Sequence, residues 1–131
     1  MSRDIPERDW KYMRKAQEEL LAALFGRINR QSMDILAAAG QSEADKYRRL
    51  YRHLKDSNRI VADCFDDWSR STLFAKLFQL KQHDLLGPEH VENLSEETRA
   101  RIEALEGLRR GHAGEGEAGD HAAGRPGRGR T

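Results

Sequence analysis

A chain of 131 residues has room for one domain, and Lys plus Arg at 23 against Asp plus Glu at 22 leaves a net charge of only +1. No global field of that size draws a molecule to nucleic acid or to a membrane surface. The single cysteine, Cys64, excludes an internal disulfide framework, no apolar run approaches the roughly 20 residues of a membrane span, and no leader opens the chain, so a soluble cytoplasmic protein is expected.

Pro6 suits the first residue of a helix, with Glu7 and Asp9 in the first turn to meet the positive end of the dipole. Trp10, Met13, Gln17, Leu20, Leu21, Leu24, Ile28, Gln31, Ile35 and Ala39 recur at steps of three and four, which predicts a long helix up to Gly40. Ser42 with Asp45 three residues on approximates a capping box and predicts the start of a second helix. Only Gly40 and Gln41 separate the two, so they should fold back as an antiparallel hairpin, with Ile35 near Tyr47, Ile28 near Leu54 and the tryptophans at the far end.

The 45 residues from Ser42 to Leu86 contain no Gly or Pro. Tyr47, Leu50, Leu54, Val61, Phe65 and Trp68 form an apolar stripe about 60° wide, whereas Leu73, Phe74, Leu77, Phe78 and Leu85 centre about 75° further round. That shift predicts a break near Ser69 and Ser71 and a third helix from Thr72 to His83, against the alternative of one unbroken helix. Gly87 and Pro88 punctuate its end, Pro88 to Asn93 reads as one helical turn, and Ser95 ahead of Glu96 and Glu97 caps a short last helix through Leu105. From Gly107 onward the chain holds 8 of its 11 Gly and one large apolar residue, Leu108. The expectation is all-α: a helical bundle over residues 1–106 and a disordered Gly/Arg-rich tail over 107–131.

No motif fixes a chemistry, and no cofactor or metal is expected. His53, Asp56, Asp63 and Asp67 share about 80° of the second helix, a possible metal face. The spacings Arg52 to Asp56, Arg59 to Asp63 and Asp66 to Arg70 are instead those of a salt-bridged solvent face, which is the reading preferred. Cys64 lacks a nearby His and reads as a packing residue. Ser57 and Asn58, polar and within the stripe, need interhelical hydrogen bonds or would line a pocket.

Arg48 and His53, with four residues between them, resemble the signature of HEPN-type ribonucleases over six residues. That resemblance implies a small dimerising helical bundle in which Arg48 and His53 cut RNA without metal. With the Arg/Gly tail, which has the look of loose RNA-binding segments, it makes an RNA-directed protein the alternative reading. The reading preferred is a non-enzymatic interaction module that meets a protein partner or a second copy through Trp68, Arg70, Leu73, Phe74, Leu77 and Phe78, because that aromatic surface exceeds what the neighbouring helices can cover.

Overall fold

The computed structural model describes the backbone of residues 5–120 and the side chains of residues 5–111. Among them are five helices and no strand: α1 (Glu7–Ala37), α2 (Glu43–Phe65), α3 (Leu73–Gln82), α4 (Pro88–Val91) and α5 (Glu96–Asp120). The chain divides into two compact units, Met1–Thr98 and Arg99–Thr131.

In the first unit, α1 and α2 form the expected hairpin. Pro6 is the residue that precedes α1 rather than its first, and Pro6 O accepts from the amides of Asp9 and Trp10. The helix ends at Ala37, three residues before Gly40, because the reversal needs room: Gly40 takes a positive φ of 79°, open to glycine at little cost. Ser42 then caps α2, its hydroxyl accepting the Asp45 amide at 3.0 Å, as the Ser-x-x-Asp spacing predicts.

The Ser42 to Leu86 segment is two helices. α2 stops at Phe65, and residues 66–72 make a tight reversal held by polar side chains. Asp67 adopts a left-handed φ of 59°, Trp68 Nε1 donates to the Cys64 carbonyl at 2.7 Å, and Thr72 Oγ1 donates to the Asp67 carbonyl at 2.7 Å. The phase shift in the apolar pattern marks this break. α3 ends in a Schellman turn, with Asp84 left-handed and the amides of Asp84 and Leu85 returning to the carbonyls of Lys81 and Leu80. That turn carries Leu85 back into the core beside Leu80.

The core of this unit consists of Ile5, Trp10, Met13, Ala16, Leu20, Leu24 and Ile28 from the N-terminal side, Cys64 and Phe65 of α2, Leu73, Leu77 and Leu80 of α3, and Leu85, Leu86 and Leu94 beyond it. It occupies one half of the hairpin. Past Ile28, no residue of α1 is buried, and α2 buries nothing before Ser57. Asp9 ties the first turn of α1 to the start of α5: its carboxyl accepts the Ser95 amide at 2.8 Å, the Ser95 hydroxyl at 2.7 Å and the Thr98 hydroxyl at 2.6 Å.

In the second unit, α5 buries Ile102 and leaves Leu108 exposed. The helix continues past Leu105, the end expected for it, so residues 107–120 of the expected tail are helical in backbone. No proline interrupts them, and glycine lowers helix propensity by about 1 kcal/mol each without a steric stop. Residues 121–131, the remainder of that expectation, lie outside the described residues. No described helix is long and apolar enough to cross a membrane.

Candidate interaction surface

The sequence places the partner-facing surface on α3, and the structure accounts for those residues differently. Leu73 and Leu77 are fully buried in the core, and Trp68, Phe74 and Phe78 are partly covered. Trp68 stacks on Phe65, rings 5.8 Å apart and 11° from parallel. Arg70 turns back to the N-terminus, where it bonds Glu7 twice, at 2.8 and 2.9 Å, and lies over the Trp10 ring at 5.2 Å. The break at residues 66–72 explains the difference. It lets α3 fold against the hairpin at an angle a continuous helix could not reach, so Leu73 and Leu77 are covered from within.

The uncovered apolar side chains are elsewhere. Phe25, Met33 and Leu36 of α1 and Tyr47, Tyr51 and Leu54 of α2 are large, apolar and 40% (Leu54) to 71% (Tyr47) exposed. On α1 the three fall within about 80° of the helical wheel, and on α2 within about 60°. Two side chains show which way these sets face. Arg27 donates to the carbonyls of His83 and Asp84, which puts the end of α3 on the Arg27 side of α1. Phe25 and Leu36 lie about 160 to 180° round from Arg27. On α2, Lys76 Nζ of α3 donates to the Asp63 carbonyl at 2.9 Å, and Tyr47 and Leu54 lie about 160 to 180° round from Asp63.

Both sets therefore face away from α3, on one flank of the hairpin. They also stand at matching heights, because His53 Nε2 donates to the Ile28 carbonyl at 3.2 Å and so aligns the helices there. Leu54 is level with the stretch from Phe25 to Ile28, and Tyr47 is near the level of Leu36 and Met33. The result is a seam of exposed apolar side chains, contributed at similar heights by both helices, at the end of the hairpin that lacks a core.

Charge is segregated along the sequence, with the cations gathered on α2. Residues 46–59 contain six cations, Lys46, Arg48, Arg49, Arg52, Lys55 and Arg59, against one acid, Asp56. Residues 60–98 reverse the balance, with three cations against eight acids. Arg48, Arg52 and Lys55 join Tyr47 and Tyr51 around a shallow depression on the outer side of α2. The pairs Arg52–Asp56 and Arg59–Asp63, expected from their spacing, do not form. With the cation N-terminal to the acid they have the weaker of the two helical orientations. Arg70, expected to pair with Asp66, pairs with Glu7. Arg48 meets Asp45 at 3.4 Å, an exposed contact of little strength.

No catalytic constellation is assembled from the other candidates. Arg48 and His53 are about 140° apart on α2, the first exposed and the second turned to the α1 backbone, so one chain does not bring the pair together. Among the described residues no group of three or more His, Cys, Asp or Glu is placed to hold a metal ion, which leaves His53, Asp56, Asp63 and Asp67 as separate side chains. Cys64 is fully buried, and burial, with the nearby Asp63 charge, pushes its thiol up to about 11, far from a nucleophile. Ser57 is buried against the hairpin and Asn58 is exposed.

Sequence reasoning passed over one polar cluster. His90, buried in α4, shares a hydrogen bond between Nδ1 and the Tyr12 hydroxyl at 2.8 Å, and its Nε2 faces Glu19 at 3.6 Å and Glu89 at 3.9 Å. Burial, and then the charge of Glu19, raise the Tyr12 pKa. The cluster fastens α4 to α1, and its partners are too far apart in sequence to suggest one another.

Comparison with known proteins gives no match to a family model, a curated protein or a solved structure.

Proposed function

We propose that this protein is a non-enzymatic helical interaction module whose working surface is the outer flank of the α1–α2 hairpin. One observation carries the reading: six large apolar side chains, each at least 40% exposed, gather on one side of two helices instead of scattering. Single exposed apolar residues are ordinary on protein surfaces, but a contiguous group rimmed by charge is what partner-binding sites share. The architecture suits the role, since one half of the hairpin is anchored by the core and the other half extends beyond it as a pair of helices.

The surface first expected, over Ser69 to Leu86, has its leucines in the core and offers a partner less. The reading is tested by replacing Leu36 or Tyr51 with the photo-cross-linker benzoylphenylalanine, with Lys11, exposed on the covered half, as the control. Irradiation of the full chain in its native cell should give discrete adducts at Leu36 and Tyr51 that the control lacks. Equal labelling at all three positions would refute the reading.

A further inference from the structure

We infer that the occupant of the hairpin flank is an acidic amphipathic helix of a partner protein, laid over the exposed apolar side chains of α1 and α2. The inference rests on the interaction-module reading and specifies the chemistry of the partner.

Three observations lead there. The seam is long and apolar, with Phe25 and Leu54 at one level and Leu36 and Tyr47 at another toward the hairpin turn, so it offers successive anchor points along two parallel ridges. A helix with apolar residues at i, i+3, i+4 and i+7 is the ligand that covers such a surface. Around Tyr47 and Tyr51, on the outer side of α2, stand Arg48, Arg52 and Lys55, and among the described residues Arg52 and Lys55 have no acidic partner. An apolar ligand with carboxylates on its flanks satisfies both features at once.

The same observations disfavour the other occupants. A second copy using the same flank across a two-fold axis would set the cation-rich 46–59 stretch of one chain against its like in the other. RNA would find phosphate contacts at the arginines and stacking partners in Tyr47 and Tyr51. It would leave Met33, Leu36 and Leu54 with nothing apolar to cover them.

The test measures fluorescence anisotropy of a labelled synthetic helix carrying Leu at i, i+3, i+4 and i+7 and Glu at the other positions, titrated with the full chain. A version with Lys in place of Glu and a poly(U) RNA serve as comparators. The Glu helix should bind, the Lys helix should not, and raised salt should weaken the complex. The double variants Phe25→Glu/Leu54→Glu and Arg52→Glu/Lys55→Glu change only exposed side chains, and circular dichroism verifies their fold. Each should weaken binding about tenfold or more.

Failure of the Glu helix to bind, or binding of the Lys helix as tight, overturns the proposal. So does poly(U) binding that is lost in Tyr47→Ala/Tyr51→Ala, which would make the occupant a nucleic acid. A wild-type chain of dimeric mass that becomes monomeric in Phe25→Glu/Leu54→Glu would assign the seam to a second copy and also overturn it. These last two results leave the interaction-module reading standing. That reading falls when cross-linking at Leu36 and Tyr51 is empty or no stronger than at Lys11.

Discussion

Asp9 and Thr98, 89 residues apart, meet at 2.6 Å in the buried corner where α5 begins. The Asp9 carboxyl also takes the amide and hydroxyl of Ser95, so one side chain of α1 satisfies a group of donors at a helix start in another part of the chain. Removing it leaves several buried donors without an acceptor. Asp9→Ala should cost about 3 to 5 kcal/mol in urea unfolding, and Asp9→Asn, which keeps an acceptor, about 1 to 3 kcal/mol. A loss below about 1 kcal/mol for Asp9→Ala would mean that water replaces the carboxyl.

The Glu7–Arg70 clamp makes a prediction in pH. The paired bonds from Arg70, and then its charge, hold the Glu7 carboxyl below its ordinary value of 4.5. A carboxyl depressed in the folded state stabilises it above that ordinary value, and the contribution is lost as pH falls through the folded value. Glu7→Gln should therefore lower stability slightly at neutral pH, where the clamp is intact, and flatten the acid limb below about pH 4.5, so that the two proteins converge at the acid end. An acid limb of unchanged slope would show that the clamp does not persist in solution.

Much of the fold was legible because it is written locally. The Ser42 cap, the Gly40 reversal, the α2–α3 break and the α4 turn all rest on residues within a few positions of the feature they specify. The α2 face was not, and the candidate site followed it. Apolarity alone selects Tyr47, Leu54 and Val61, whereas the face turned to α1 runs through His53, Ser57, Ile60 and Cys64, also spaced by three and four. His53 bonds the α1 backbone there, Ser57 and Cys64 are small and buried, and the bulkier stripe is rotated outward. His53, polar and flanked by charge, made that inner face look like solvent surface, while the outer stripe, whose span takes in Ser57, looked like core. The Asp9 corner was illegible for another reason, since its partners lie 86 residues and more away.

Asp84 separates backbone need from side-chain chemistry. It sits at a φ of 59° in the turn that ends α3, a conformation that costs an ordinary side chain roughly 1 to 2 kcal/mol and glycine nothing. Asp84→Gly should leave stability unchanged or raise it by up to about 1 kcal/mol, while Asp84→Val should lower it by about 1 to 2 kcal/mol. Thermal unfolding of the pair checks the order, and a more stable Val variant would contradict the Schellman geometry.

Cys64 should be silent to thiol reagents in the native state. It is fully buried, and the folded protein raises its pKa from 9.0 to about 11, so at pH 8 little thiolate exists and none of it is reachable. Labelling with a disulfide reagent should proceed only as fast as the protein opens, and should accelerate sharply in denaturant. Rapid stoichiometric labelling of the native chain would show that the α2 face packed on α1 opens readily.

The division between core and platform predicts opposite consequences for apolar residues of similar size. Leu77 is fully buried in α3, and Leu77→Ala should cost about 2 to 5 kcal/mol through lost transfer energy and the cavity left behind. Leu36 is 49% exposed on the seam, and Leu36→Ala should change the stability of the isolated chain by no more than about 0.5 kcal/mol. The contrast separates the residues that hold the fold together from those left free for the proposed surface. Urea unfolding of both variants decides it. Comparable losses would mean that the seam is covered in the free protein, and the outer flank of the hairpin would then be core and not a surface for partners.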